Sequence, residues 1–298
     1  MANFLQDIIN SRVGVGTGLV VGRIIPAVLG YPLARFLGSI AASRKNSHLV
    51  SAIRSNHQVV REFQESPLSL DDAVKTTLRN QATCLFDFYH NLYFPSKIKS
   101  QVDFSPAFQE VFERCNNDGV PRLFVAPHIG GFDQAGLALA YRGLHVQVLS
   151  YPNPGSGYQW QNKIRSEGGL KITPISMSSV SEARKRLLEG GTVLTGLDRP
   201  NPDKKYQPRF FGRPTALPVF YVRLALKTNA EVRVVASFIK PNHKYELDIS
   251  DPIHFNEMDD PNEEILANAE RVLAVAEQFI LRAPYQWSMF YPLWPDQE

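Results

Sequence analysis

Cysteine and charge are both scarce in this chain of 298 residues. The two cysteines, Cys84 and Cys115, form no C-x-x-C pair and have no histidine at zinc spacing. That excludes a disulfide framework and a zinc site, and leaves two small residues suited to burial in a reducing compartment. Charged residues make up 20% of the chain, below the roughly 25% usual for soluble domains. The apolar share of 44% is ordinary, so disordered, collagen-like and low-complexity classes are excluded. A net charge of +3, with no run of basic residues, could not neutralise a phosphate track, and nucleic acid is excluded as a partner.

Several familiar templates are missing as well. No G-x-S-x-G elbow occurs, since Gly155-Ser156-Gly157 lacks its spacing, so a serine hydrolase has no support. Gly14 to Gly18 (GVGTG) is neither a P-loop nor G-x-G-x-x-G, and it follows no strand, which disfavours a dinucleotide-binding enzyme. Met1 to Asn10 contains Asp7 and no basic n-region, so it does not read as a secretory signal.

What is present is uneven. From Val13 to Ala42 the only charges are Arg23 and Arg35, which interrupt any uncharged run long enough to span a bilayer. The segment reads as a helical pair broken near Pro26 and Pro32. It either lies in the membrane interface with its arginines reaching the headgroups, or forms an ordinary core hairpin. Residues 1–45 are therefore set apart as a membrane-associating segment, and 46–298 as one α/β domain with a helical lead-in.

That lead-in shows an amphipathic stretch at Asn46–Gln64, a second helix at Ser69–Tyr93 begun by Ser-Leu-Asp-Asp, and a short third at Pro106–Asn116. Beyond it, apolar β-branched runs alternate with helices. The runs are Arg122–Pro127, His145–Tyr151, Leu170–Ile175, Thr192–Asp198 and Glu231–Lys240; the helices fall near 132–141, 158–167, 180–189 and 217–228. The pattern predicts right-handed crossovers and a mostly parallel central sheet flanked by helices. Lys244–Ile253 reads as an added strand, with an antiparallel direction left open, and Asn262–Arg282 as a long helix packed on the sheet.

Ligands of open α/β sheets sit beyond the carboxyl ends of the strands. Those positions hold His128, Tyr151–Pro154, Pro174 and Asp198-Arg199. After the first run comes His128-Ile-Gly-Gly-Phe-Asp133, with the carboxylate near a helix start and the histidine on the loop before it. An imidazole held by a carboxylate can take a proton from a hydroxyl. Gly130 and Gly131 allow a tight turn and offer backbone N–H groups to negative charge. The spacing alone is weak, because His57–Glu62, His243–Asp248 and His254–Asp259 share it. Only His128 joins a preceding strand, a double glycine and a following apolar helix, so it is either a catalytic base or a histidine capping that helix.

Four segments, in order, resemble the bacterial lipid A biosynthesis acyltransferase family, which includes lauroyl and myristoyl transferases and mycobacterial phosphatidylinositol mannoside acyltransferases. They are VAPHIGGFDQAG; NKIRSEGG with Arg165; GLDRP followed by PRFFGRPTALPVFYVRLALKT; and Tyr285-Gln286-Trp287 with Tyr291–Trp294. Together they cover roughly residues 120 to 295, and less distinctly the helical region with Asn56. Gly131-Phe132 departs from the family's common Asn-Trp, and GLDRP is closer to the mycobacterial branch.

The resemblance implies direct transfer of a fatty acyl group from acyl-CoA or acyl carrier protein, as co-substrate, to a hydroxyl of a membrane glycolipid, without cofactor or metal. His128 would be the general base and Asp133 would fix its tautomer; Gly130, Gly131 or Arg165 would meet the oxyanion. Asp198 and Arg199 would orient Arg165 or bind a phosphate. Phe210-Phe211-Gly212-Arg213-Pro214 would be a turn whose aromatics wall an acyl tunnel, with Arg213 near a phosphate. The expected setting is the cytoplasmic face of a bacterial inner membrane. Two rivals remain: a lysophospholipid acyltransferase, which also uses His-x4-Asp, and a non-catalytic lipid-binding protein of the same fold.

Overall fold

The computed structural model describes residues 12–152, 155–201 and 203–295. The reading of Met1–Asn10 lies outside the described residues. The described chain opens with α1 (Arg12–Ile24) and α2 (Ala27–Ser43), parted at Pro26. Pro32, expected as a second break, sits inside α2 instead. Proline removes one helical hydrogen bond, but packing holds this helix through it. Gly30 lies on the Phe86 ring and Gly38 against the backbone of Leu78 and Arg79, approaches that a Cβ would block.

Three further helices build the lead-in: α3 (His48–Val60), α4 (Leu70–Asn91) and α5 (Pro95–Gln101). Ser47 and Ser69 cap α3 and α4 by accepting from the N–H groups of Val50 and Asp72. A short strand, β1 (Val102–Phe104), and α6 (Pro106–Arg114) follow; neither α5 nor β1 was foreseen from the periodicity, each being too short to show one. Both cysteines are buried and free, and burial pushes the Cys84 thiol far above its ordinary range.

The alternating region follows the predicted order: β2 (Arg122–Ala126), α7 (Phe132–Tyr141), β3 (Val146–Ser150), α8 (Ser156–Glu167), β4 (Lys171–Pro174), α9 (Met177–Leu188) and β5 (Thr192–Gly196). A small hairpin, β6 (Arg209–Phe210) and β7 (Arg213–Pro214), leads to α10 (Phe220–Thr228), β8 (Glu231–Lys240), β9 (Lys244–Ile249) and α11 (Pro261–Arg282). Across the seven-stranded sheet the order is β1-β9-β8-β2-β5-β3-β4. Strands β8, β2, β5, β3 and β4 are parallel, and β9 runs against β8 as the added strand.

Side chains on a strand alternate between faces, and β2 shows the consequence. Leu123 and Val125 enter a core shared with α9, α10 and α11, while Phe124 enters the core under α7 and α8. The C-terminal tail is tied back across the first of these cores. Asn56 on α3 donates to the carbonyls of Met289 and Tyr291 and accepts from the N–H of Leu293, which gives that residue a structural role.

Candidate active site

The site follows from one topological fact: β5 lies beside β2, although seventy residues separate their ends. Ala126 is in register with Gly196, so the residues two places beyond each, His128 and Asp198, leave the sheet side by side. The His128 imidazole meets Asp198 Oδ1 through Nδ1 at 2.5 Å, and the His128 backbone N–H donates to Asp198 Oδ2 at 2.8 Å. The indole of Trp287 donates to the same Oδ2 at 2.8 Å. Asp198 has no exposed surface. Burial alone would raise its carboxyl, but the charge and hydrogen bonds of His128, with the Trp287 N–H, hold it below the ordinary carboxylate range. With Nδ1 engaged, Nε2 is the nitrogen left for a substrate. Gly196 makes room for the ring, since a Cβ there would stand 3.0 Å from His128 Cε1.

This corrects the expected pairing of His128 with Asp133. Gly130, at φ +58°, turns the chain sharply between them, and Asp133 enters the first turn of α7 facing α8. There its Oδ1 accepts from Arg165 Nε at 2.7 Å, and Arg165 Nη1 donates to Asn162 Oδ1 at 2.9 Å. Arg165 is buried, with Phe88 and Tyr158 under its guanidinium. Asp198 likewise serves His128 and does not orient Arg165. His128 and Asp133 still share one cavity, each through its own partner.

The glycines also take other parts than expected. The Gly130 N–H donates to the Gln286 carbonyl, and its Cα lies so close to the Ser237 carbonyl that a Cβ would sit 2.1 Å from that oxygen. It is therefore not available to an oxyanion. Gly131 packs under the Tyr245 ring and does not line the cavity, whereas Phe132 and Asp133, the first residues of α7, do. Amide groups at such a helix start are the available backbone donors.

Phe211 and Arg213 lie away from the site. Phe211 and Gly212, at φ 49° and 67°, form the two-residue turn of the β6–β7 hairpin, a geometry that matches strand twist and favours glycine at its second position. Phe211 is buried against Trp287 and Trp294 rather than along the cavity. Arg213 forms two hydrogen bonds to Glu62, at 2.7 and 2.8 Å. Glu62 is thus not paired with His57, which meets Thr77; Asp248 likewise binds Arg282, while His243 stacks on Tyr31. None of the other three His-x4-acid spacings closes as a pair in space.

Arg199 stands where a strand-exit residue should, on the cavity rim. Its guanidinium lies over the rings of Tyr151 and Tyr158, 5.8 and 5.5 Å from their centroids, and it forms no ion pair among the described residues. Tyr158 is bracketed by two cations, since Arg165 lies 5.3 Å from the same ring. The cavity itself measures about 370 Å³. Polar groups gather at its strand-exit end, and Ala135, Gly136, Leu139, Val146 and Leu170 line a deeper apolar arm between α7 and the sheet.

The closing Tyr285-Gln286-Trp287 had no role assigned from the sequence. The Gln286 amide binds both the N–H and the carbonyl of Ile239, extending the edge of β8, while its own carbonyl takes the Gly130 N–H. Trp287 then reaches Asp198, and Ser288 donates to the His128 carbonyl at 2.7 Å. A buried tryptophan far along the chain was the available signal, but its N–H partner could not be read without the topology.

A family model described as bacterial lipid A biosynthesis acyltransferase matches residues 11–296, and the chain belongs to that family. It is accordingly an O-acyltransferase of lipid biosynthesis, with an acyl donor and a lipid acceptor as its substrates. No curated protein matches the sequence. Among solved structures the chain is similar to the 1-acyl-sn-glycerophosphate acyltransferase PlsC of Thermotoga maritima, at 14% identity and a TM-score of 0.38, over 84% of this chain and 97% of that one.

Proposed function

We propose that the protein moves a fatty acyl group from acyl-CoA or acyl carrier protein to a hydroxyl of a membrane glycolipid, of the lipid A precursor or phosphatidylinositol mannoside type. The observation that carries this reading is the His128–Asp198 pair at the head of a cavity whose far arm is apolar. His128 Nε2 takes the proton of the acceptor hydroxyl as its oxygen attacks the thioester carbonyl. The oxyanion so formed is met by the amide groups at the start of α7 and by Arg165. Its collapse breaks the carbon–sulfur bond, and the thiolate takes the proton back from the imidazolium. Asp198 holds the tautomer and balances the transient charge, so no acyl-enzyme is needed.

Asp133 acts through Arg165, holding its guanidinium beside the reacting carbonyl. Arg199 supplies the cation for a phosphate of donor or acceptor. No helix among the described residues is long and apolar enough to cross a membrane. Instead α1 and α2 expose a row of large apolar side chains, among them Val28, Leu29, Phe36 and Leu37, with Val28 83% exposed. Such a row suits a peripheral or monotopic seat in the interface, here assigned to the cytoplasmic face of a bacterial inner membrane.

The test is His128→Ala in the full-length protein, assayed with acyl-CoA and glycolipid. Transfer should fall by about two to four orders of magnitude while the protein stays folded. Near-normal turnover would refute the general base. Lipid mass spectrometry of a deletion strain checks the acceptor: loss of one acyl chain from a glycolipid supports the reading, and an accumulating lysophospholipid would replace it with the glycerolipid alternative.

A further inference from the structure

Helix α7 carries a glycine in its interior, Gly136, although glycine is the poorest helix former after proline. The other glycines near the site are required by what they touch. Gly130 lies against a carbonyl and Gly131 against an aromatic ring. Gly136 is different, because a Cβ there would meet only the tip of one flexible side chain, Leu170 Cδ1 at 3.2 Å, and its φ is an ordinary helical one. Backbone packing therefore does not demand glycine. What its missing side chain leaves is room in the apolar arm of the cavity, which Gly136 lines together with Ala135, Leu139, Val146 and Leu170.

The depth of that arm can be read from the elements beside it. Between Ser150 and Val146 on β3 the wall runs roughly 13 Å at about 3.3 Å per strand residue. Along α7 from Phe132 to Leu139 it runs roughly 10 Å at about 1.5 Å per helical residue. A carbon–carbon bond of about 1.5 Å at an angle near 111° advances an extended alkyl chain by about 1.25 Å, so the arm takes about eight to ten carbons beyond the reacting carbonyl.

We infer that Gly136 sets the acyl-chain length that this enzyme accepts, with Leu139 as the floor one turn deeper. The inference rests on the acyl-transfer reading above and adds to it the residue that selects the donor. A side chain at 136 would close the arm about 4.5 Å above Leu139, at about 1.5 Å per residue. That removes the place of about four carbons, at roughly 1.25 Å each. Every methylene kept out of the apolar arm costs roughly fourfold in affinity.

The experiment uses the full chain and straight-chain acyl-CoA thioesters stepped two carbons at a time from butanoyl to stearoyl. Binding is read by calorimetry without acceptor, and transfer is read with a glycolipid acceptor. In Gly136→Leu the preferred donor should become about four carbons shorter in both readouts. In Leu139→Ala it should become longer, which keeps the question open to test if the first variant does not fold. An unchanged length profile in either folded variant, or a loss that is uniform over all lengths, would overturn the inference. Length-dependent binding by the wild type that shifts in the variants, without transfer to any lipid, would uphold Gly136 as the ruler and break the transfer reading instead.

Discussion

The two faces of the sheet each bury an apolar core and do opposite things with it. Under α9, α10 and α11 the core is filled by Leu187, Leu224, Val272 and Leu273, and beyond them by Phe210, Phe211, Trp287 and Trp294. Under α7 and α8 the helix facing the sheet sets Ala135 and Gly136 toward it, with Leu139 a turn beyond, and the space the two small residues leave belongs to the cavity. The polar groups of the site gather on one side. The cavity side holds the His128–Asp198 hydrogen bond and the Arg165–Asp133 ion pair. The helical lead-in keeps its buried histidine, His57, neutral, because desolvation first and the charge of Arg61 second push it down to about 4. Close packing is what holds the molecule together, and its local omission is what admits a substrate.

The sharpest way to break this division is through the two carboxylates. Asp198→Asn removes the charge that balances the His128 imidazolium and should cost about 10⁴-fold in kcat, with little change in acceptor KM. Asp133→Asn leaves His128 properly held and loosens only Arg165, so its loss should be distinctly smaller. Steady-state kinetics of both variants decide the matter. If Asp133→Asn proved the more damaging, the general base would have to be held by Asp133 after all.

That reversal of roles marks how far the sequence could be read. The alternation of strands and helices, the antiparallel β9 and the placement of His128, Asp198 and Arg199 at strand exits were all legible, because each depends on local periodicity and on the rule that ligands sit beyond strand ends. Partnership was not legible. His128 and Asp133 are close in sequence and share a loop, yet strand order brings Asp198 to His128 from seventy residues away. The part played by Trp287 depends on the same order and on a tail pinned by Asn56. Aromatic density in FFGRP suggested a tunnel wall, but its turn faces the packed side, where Phe211 and Arg213 hold a hairpin.

A second test sharpens the comparison from the packed face. Leu273 on α11 is 1% exposed and does not line the cavity. Leu273→Ala leaves a void in a full core and should cost about 2–5 kcal/mol of stability. Its acyl-chain preference should remain that of the wild type, in contrast to a change at Gly136. Denaturant unfolding and the donor series together check this, and a shifted length profile would mean that the two faces are mechanically coupled.

The gentlest test is of pH, and it belongs to the helical lead-in, away from the cavity. His57 lies between α3 and α4, with its Nε2 2.9 Å from Thr77 Oγ1 and its ring 5.9 Å from that of Tyr285. In the folded protein its pKa is depressed to about 4, against about 6.5 in the unfolded chain, so the unfolded state binds the proton first. The stability this neutral burial provides is whole above pH 6.5 and drains away as pH falls toward 4, by about 3 kcal/mol in all. The buried carboxylate Asp198, held low, is lost only at more acid pH, as it becomes protonated. Urea unfolding at closely spaced pH values should therefore show a slope between pH 6.5 and 4 in the wild type. His57→Gln, whatever its absolute stability, should flatten that slope; an undiminished one would place the acid-sensitive group on the cavity side, where the charges are.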